Sequence, residues 1–443
     1  QLLNHLENKT LSHNTSDTSK FWLRLDNAAK IFPAVMTKEM STVFRLSAVL
    51  NNNVSISALM KAVSRAEKRF PYYLVRLKEG FFWYYLEYFP SPIPIEPDDK
   101  QPCRFFSQDG LLIRILVKDK NISVEFAHIL TDGGGAFYFF KTLLSFYKEE
   151  LENTDTVNHM PLTGHTIPED EYEDSYKRYF QQNIPPMVSQ SAAFHLPFSL
   201  NKKPRFHRSQ YIVSIKQIKA AADHKNVSIT DYLVATYMCS LQAIYENRKS
   251  KGKKTRNKKI RIQVPVNLRN IFPSNSMRNF SLFVMPEIDL RLGHYTFDEI
   301  LKVVHHQIRL ETDQKLINKN ISRNVGSEKN IYVKSIPLFL KSLILRLNYY
   351  TKGTNQYSGV VTNLGKAKLP EDTARLIDYF IFTPPPPNKI LKVNCGIIGF
   401  GDTLLLSFSN ITKSMLLEDT FFKLLKSNGI PVNQLKNSTE ENL

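Results

Sequence analysis

A long polar segment without a sustained period divides the chain and most constrains its fold. Residues 149–208 are rich in proline and lack the regular apolar spacing of helices and strands. On either side of this segment, apolar runs change between the period of strands and that of helices. Mixed strands and helices in both halves favour an α/β (α+β sandwich) fold with two mixed sheets and a ligand site in the cleft between two domains. Because 443 residues exceed one ordinary core, we place the domains at residues 1–185 and 186–443.

The apolar spacing also predicts the individual elements. In the first half it predicts strands at 43–50, 111–117 and 122–127, a hairpin over 72–89, a helix capped by Ser57 and a helix at 136–147. In the second half it predicts helices at 229–245, 297–310, 337–350 and 418–425, and strands at 210–215, 260–265, 281–288 and between 358 and 409. The helix at 337–350 could lie on a membrane surface, but we favour a core-facing helix with Lys341 and Arg346 in water.

The net charge of +18 raises the question of an anionic partner. The densest basic run, residues 248–259 (RKSKGKKTRNKK), contains no aromatic residue on which bases could stack. No zinc-finger spacing or RNA-recognition signature accompanies it, so we expect no nucleic-acid partner. A solvated loop is the favoured interpretation of this run.

The cysteines and the apolar runs bear on the cellular compartment. Cys103, Cys239 and Cys395 are far apart in sequence, which indicates neither a disulfide framework nor a zinc site. Residues 1–20 do not resemble a signal peptide, and no apolar run reaches the roughly 20 residues that span a bilayer. We therefore expect a cytoplasmic protein without a membrane span.

Residues 124–135 (VEFAHILTDGGG) carry the clearest chemical signal. His128 follows a predicted strand, and a histidine with a pKa near 6.5 can accept a proton at neutral pH. Asp132 and three glycines follow, and the glycines permit close approach of another segment or a substrate. Spacing alone does not distinguish a catalytic His–Asp pair from a structural one.

The run His128-Ile129-Leu130-Thr131-Asp132-Gly133 resembles the HxxxDG motif of the CoA-dependent acyltransferase superfamily, the chloramphenicol-acetyltransferase-like proteins. Many relatives have two consecutive histidines, of which the second is the base, and here Ala127 precedes His128. Three further segments resemble the family in the same order, at 24–33 (RLDNAAKIFP), 264–280 (VPVNLRNIFPSNSMRNF) and 358–365 (SGVVTNLG). The DFGWG motif of plant BAHD enzymes is absent; residues 399–402 (GFGD) are at best a remnant, so the resemblance is to bacterial alcohol acetyltransferases and condensation domains.

The resemblance implies two chloramphenicol-acetyltransferase-like domains with an active-site channel between them. It implies that His128 is the general base and that Asp132 and Arg269 form a structural ion pair. The tetrahedral oxyanion needs a hydrogen-bond donor, for which the candidates are the backbone of Gly133 and Gly134 and the side chains of Asn279, Thr362 and Asn363. Acyl-CoA is the expected co-substrate, and no metal or tightly bound cofactor is required. Its phosphates could meet basic residues of the 248–259 run, namely Lys253, Lys254, Arg256 and Lys258.

Several functions stay open at this point. The leading one is transfer of an acyl group from acyl-CoA to a small alcohol or amine. A condensation-type enzyme that uses carrier-protein thioesters is the alternative within the same chemistry. A catalytically silent binding protein on the same fold and a binder of anionic surfaces are alternatives of other classes.

Overall fold

The computed structural model describes residues 21–107, 109–152, 167–185 and 190–435. The strands are β1 (Trp22–Arg24), β2 (Val43–Leu50), β3 (Val75–Glu79), β4 (Tyr84–Tyr88), β5 (Ile95–Pro97), β6 (Ile113–Lys118), β7 (Asn121–Ala127), β8 (His207–Ser214), β9 (Lys259–Asn267), β10 (Ser281–Val284), β11 (Glu287–Asp289), β12 (Gly359–Lys366), β13 (Ile377–Thr383), β14 (Val393–Phe400), β15 (Thr403–Asn410) and β16 (Asn433–Leu435). The helices are α1 (Phe32–Val35), α2 (Ile56–Arg69), α3 (Gly133–Glu152), α4 (Ser175–Arg178), α5 (Ile215–His224), α6 (Ile229–Ser250), α7 (Phe297–Glu311), α8 (Gln314–Lys329), α9 (Ile331–Ser335), α10 (Leu338–Asn348), α11 (Glu371–Ala374) and α12 (Leu416–Ser427).

The first large sheet has five strands in the order β13-β2-β7-β6-β5. β2 runs antiparallel to β7, with Val43 opposite Ala127, so β2 begins at the edge of the sheet where β7 ends. Helices α2 and α3 pack against this sheet through a buried apolar cluster that includes Leu59, Phe126 and Phe140. The edge at which β7 ends is where the HxxxDG segment begins.

The second large sheet has eight strands, with the order β10-β9-β12-β14-β15-β8-β16 and β11 paired to β9. It is mixed, because β12 runs parallel to β9 and β14 while β14 and β15 are antiparallel. Helices α5, α6, α7 and α12 cover it through a second buried cluster. A small third sheet, β1-β4-β3, extends from the first half. The predicted fold, two domains with mixed sheets and helices, is therefore what the chain adopts.

One strand from the second half of the sequence belongs to the sheet of the first half. β13, far beyond residue 185, pairs with β2 at the edge of the first sheet. The division at 185 and 186 stays a prediction, since residues 186–189 lie outside the described ranges. Because β13 belongs to the first sheet, that sheet is complete only when both halves of the sequence have folded.

Most predicted elements lie where the apolar spacing put them, and the differences are informative. The cap of α2 is Ser55, whose side chain accepts a hydrogen bond from the backbone of Ala58, and not Ser57. Helix α8 was not predicted because most of its residues are polar. Only one apolar row, Ile317, Ile321 and Val325, is buried.

Helix α10 lies with its apolar side outward, so the predicted core-facing orientation is wrong. Lys341 is buried, and Phe339, Leu343 and Leu347 are exposed. Within the described ranges, no helix has both the length and the apolar character to cross a bilayer.

Candidate active site

His128 lies directly beyond the last residue of β7. Its backbone N–H donates to the carbonyl of Thr42, which continues the antiparallel pairing by one step. The imidazole stacks on Phe32, with ring centroids 4.7 Å apart, and meets Phe44 edge to face at 5.4 Å. These two apolar walls hold the ring where strand β7, helix α1 and the second half of the chain meet.

Asn279 determines which nitrogen of His128 carries the proton. Its Nδ2 lies 3.0 Å from the carbonyl oxygen of His128 and 3.0 Å from Oδ2 of Asp26, and both of these oxygens are acceptors. The amide oxygen of Asn279 must then face the imidazole, where Oδ1 lies 3.0 Å from Nδ1. An acceptor at this position favours a proton on Nδ1 and leaves the lone pair on Nε2.

Burial keeps the imidazole neutral. Desolvation lowers the pKa of His128 below its usual value, although its own backbone carbonyl, Asp132 and Asn279 act in the opposite direction. At neutral pH the ring is therefore uncharged, and Nε2 can accept a proton.

Asp26 fixes the position of Asn279 by hydrogen bonds. Its carboxylate accepts from Nδ2 and from the backbone N–H of Asn279, and its other oxygen accepts from the backbone of Ala29. Burial raises the pKa of Asp26 to about 6, against the opposing charge of Arg278. The connection from Asp26 through Asn279 to His128 joins the start of the chain to the second half.

Asp132 shapes the turn after His128. It is the N-cap of α3, and its Oδ1 accepts from the backbone N–H groups of Gly134 and Gly135 at 3.1 and 3.0 Å. Its Oδ2 accepts from the backbone N–H of Phe280 at 2.7 Å. A carboxylate with these partners has little freedom to move toward a substrate.

Arg269 pairs with Asp132 across the two halves of the chain. The Nη1 atom of Arg269 lies 2.9 Å from Oδ2 of Asp132, and the rest of the guanidinium donates to the carbonyls of Ser276 and Arg278. Burial alone would raise the pKa of Asp132, but Arg269 and the backbone donors outweigh it and hold that pKa below its usual value. The pair is thus a charged, hydrogen-bonded connection that leaves the proton chemistry to other groups.

Two of the glycines after Asp132 lie against other segments. A Cβ atom on Gly135 would lie 2.7 Å from the carbonyl oxygen of Met277, and one on Gly133 would lie 2.5 Å from Cδ2 of Leu364. Since a backbone carbonyl cannot move aside as a side chain can, Gly135 is the position where the close approach most requires glycine.

The end of strand β12 reaches this turn through Leu364, whose Cδ2 would lie 2.5 Å from a Cβ atom on Gly133. Asn363 directs its amide to Thr230, with Nδ2 2.9 Å from Oγ1, so this side chain faces helix α6. Side chains alternate along a strand, so Thr362 faces the side of β12 opposite to Asn363, away from helix α6. The oxyanion roles of Thr362 and Asn363 stay predictions.

The contacts of Asn279 and Gly134 bear on their predicted role as oxyanion donors. Both amide hydrogens of Asn279 are directed to acceptors, the carbonyl of His128 and the carboxylate of Asp26. The N–H of Gly134 is donated to Asp132. The oxyanion role stays a prediction for these groups, and the contacts of Asn279 are those of a positioning group.

The four basic residues proposed for CoA phosphates are exposed and distant from His128. Lys253, Lys254, Arg256 and Lys258 lie in the loop between α6 and β9. The far end of β9, at Asn267, is the end that reaches Gly134, and its eight steps of about 3.3 Å separate the two ends by about 26 Å. The structure does not bring these residues to the site, which agrees with a solvated loop.

Two residues of the site had no role in the sequence interpretation. Asp26 and Phe32 both lie in the segment 24–33, which resembled the family but suggested no function for any of its residues. Their partners Asn279 and His128 are far away in sequence, so only the folded chain shows the contact.

We expect Asn279→Ala to lower kcat by about 10²-fold while KM changes little, because the ring of His128 loses the acceptor that orients it. Steady-state kinetics on the purified variant separate the two parameters. Asn318→Ala is the matched control, since it removes a buried amide of α8 that donates to the carbonyl of Tyr179 and not to the neighbours of His128. Equal losses in both variants would show that Asn279 acts only through general stability.

The chain matches known proteins by fold. No protein-family model matches it. No curated protein sequence matches it either. Polyketide synthase associated protein 5 from Mycobacterium tuberculosis superimposes with a TM-score of 0.59 at 12% identity, over 91% of this chain and 97% of that one.

Two further solved structures extend the comparison. TRI101 from F. graminearum, solved with coenzyme A and deoxynivalenol, matches with a TM-score of 0.57 at 12% identity, over 92% of this chain and 97% of its own. The first condensation domain of the CDA synthetase matches with a TM-score of 0.57 at 11% identity, over 92% and 96%. The fold that the resemblance predicts is thus confirmed.

Proposed function

We propose that this chain, whose fold is that of condensation domains and acetyltransferases, transfers an acyl group from a thioester to an alcohol or amine. The observation that carries the proposal is the contact between Nδ1 of His128 and Oδ1 of Asn279. It favours the tautomer in which Nε2 holds a free lone pair, as a general base requires.

In the proposed reaction, Nε2 of His128 takes the proton from the acceptor O–H or N–H as that atom attacks the thioester carbonyl. The C–S bond then breaks, and the thiolate leaves as the thiol after it receives the proton from the imidazolium. Thr362 is the side chain that we assign to the oxyanion, because it lies on the side of β12 opposite to Asn363, whose amide is directed to helix α6. Asp132 and Arg269 hold that turn in place and transfer no proton.

Acyl-CoA is the donor that we propose. The support is the likeness to TRI101, which was solved with coenzyme A and deoxynivalenol. The three cysteines are free, which fits a reducing compartment, and we place the reaction in the cytoplasm.

A carrier-protein thioester is the second candidate donor. It is favoured by the likeness to a condensation domain of a peptide synthetase, at a TM-score equal to that of TRI101. The chemistry at His128 is the same for both donors. They differ in whether the pantetheine arm arrives on a nucleotide or on a protein.

The test is the release of thiol from three donors with the same acyl group: acyl-CoA, acyl-pantetheine and an acyl carrier protein thioester. Each is offered with a panel of alcohols and amines and also without an acceptor. We expect acceptor-dependent release from acyl-CoA that exceeds the release from acyl-pantetheine. Release only from the carrier protein would move the assignment to the condensation type, and no acceptor-dependent release from any donor would contradict acyl transfer.

A further inference from the structure

Helix α10 presents a row of large apolar side chains to solvent. Phe339 is 73% exposed and Leu343 is 56% exposed, and the exposed large apolar residues on this helix are Phe339, Leu340, Leu343, Ile344 and Leu347. At 100° per residue these positions fall within an arc of about 140°. The opposite side of the helix, with Leu338 and Lys341, is buried.

The hairpin between β3 and β4 enlarges this apolar surface. Phe81 is 73% exposed, and its ring lies 4.7 Å from that of Phe82, which is also exposed. The carbonyl of Phe81 accepts from the backbone of Leu338, and the carbonyl of Phe82 accepts from Nζ of Lys341. The hairpin tip and the helix are therefore joined, and we call their exposed apolar residues the α10 surface: Phe81, Phe82, Phe339, Leu340, Leu343, Ile344 and Leu347.

Lys341 contacts the hairpin instead of facing water. Its ammonium lies 3.5 Å from the ring centre of Trp83 in the hairpin. Burial lowers the pKa of Lys341. A buried lysine that fixes the helix to the hairpin, beside leucines that face solvent, is the reverse of an ordinary surface helix.

The charge around the α10 surface is positive. Residues 329–370 contain seven lysine and arginine residues and no aspartate or glutamate. Lys334, Arg346 and Lys352 are exposed on or beside the helix. The hairpin contributes Lys78 and Glu79, which offset each other.

We propose that the α10 surface docks on an anionic lipid bilayer, with helix α10 lying in the plane of the interface. A helix with an apolar arc, flanked by cations and with no acidic residue of its own, is the pattern that binds such a surface. The acyl chains would receive the leucine and phenylalanine side chains, and the headgroups would receive Arg346, Lys334 and Lys352. The net charge of +18 acts in the same direction at longer range.

The location of this surface relates it to the candidate active site. Leu345 and Tyr349 of the α10 region pack against Ala34 and Val35. These belong to helix α1, whose first residue, Phe32, stacks on His128. A docked bilayer would therefore lie beside the element that forms one wall of the site, although docking itself does not depend on acyl transfer.

Co-sedimentation of the full chain with vesicles tests the proposal. Vesicles of phosphatidylcholine with added phosphatidylglycerol should bind the chain, pure phosphatidylcholine should bind it far less, and added salt should weaken binding. We expect Leu343→Glu to weaken binding at least about tenfold. The variant loses a leucine that the bilayer would bury on docking, and it adds a negative charge. Arg346→Gln should weaken it about fivefold.

The matched control is Leu292→Glu, which makes the same change at a leucine that is 82% exposed outside the α10 surface. It should bind vesicles as the unmodified chain does, and Phe81→Ser in the hairpin should behave like Leu343→Glu. Thermal unfolding of each variant shows that the fold is retained. Absence of binding to anionic vesicles would overturn the proposal. So would an α10 surface whose variants change only the oligomeric state in light scattering, since its occupant would then be a second copy of the chain.

Discussion

Replacing His128 with alanine is expected to lower kcat/KM for acyl transfer by about 10²–10⁴-fold. The reason is the tautomer favoured by Asn279, in which Nε2 holds the only lone pair of the ring. The measurement is thiol release from an acyl donor in the presence of an acceptor, for the unmodified chain and the variant side by side.

The pH dependence of the unmodified enzyme belongs to the same prediction. A general base works only when it is unprotonated, so the rate falls as the pH falls through its pKa. Because burial lowers the pKa of His128, the acid limb of kcat/KM should lie below pH 6.5. Asp26, with a pKa of about 6, could contribute to the same limb. In Asn279→Ala a limb that belongs to His128 should move to lower pH, because Asn279 raises the pKa of the ring. A limb that belongs to Asp26 should move to higher pH, because Asn279 lowers the pKa of that carboxyl group.

His224→Ala is the control for the His128 variant, since His224 is an exposed histidine at the end of α5. Its kinetics should equal those of the unmodified chain. If a well-folded His128→Ala retains full activity, another group is the base and the proposed mechanism is wrong.

The fold could be predicted because the signals for most elements are local. Strand β2 is apolar at all positions except Arg45 and Ser47, and β7 ends shortly before a glycine-rich turn. Helix α8 escaped prediction because one buried apolar row amid polar residues is a weak signal. Helix α10 was predicted as a helix but with the wrong side inward, since periodicity identifies an apolar face and does not say what covers it.

The candidate site likewise contains residues that could be recognised in the sequence and residues whose roles could not. His128, Asp132 and Gly133 are neighbours in sequence and could be recognised as a motif, and the resemblance extended this to Arg269. The role of Asn279 could not be read, because it depends on which of two amide atoms faces the imidazole. That orientation is set by Asp26, which a long stretch of chain separates from Asn279. Geometry of this kind arises only when the two halves have folded together.

Asp132→Asn is expected to lower the free energy of unfolding at pH 7 by about 3–5 kcal/mol, because it leaves the largely buried guanidinium of Arg269 without its counter-charge. The carboxylate also accepts from the backbone N–H groups of Gly134, Gly135 and Phe280, and an amide cannot accept at both positions. Urea unfolding of the variant and the unmodified chain, with the change in midpoint at constant slope, measures the effect.

The pH dependence of this loss follows from the lowered pKa of Asp132. A carboxyl group whose pKa is lower in the folded state contributes stability above its unfolded pKa, about 3.9, and loses it as the pH falls through the folded pKa. The difference between the two proteins should therefore be constant from pH 5 to 8, on the order of that 3–5 kcal/mol, and shrink below about pH 4.

Asp223→Asn is the matched control, since it makes the same change in an exposed pair with Lys219 on helix α5. An exposed pair of this kind contributes about 0.5 kcal/mol at most, so the urea midpoint should hardly move. If Asp132→Asn were as mild as this control, the pair with Arg269 would not hold the two halves together. The HxxxDG turn would then have to be positioned by its glycines and by the contact of His128 with Asn279.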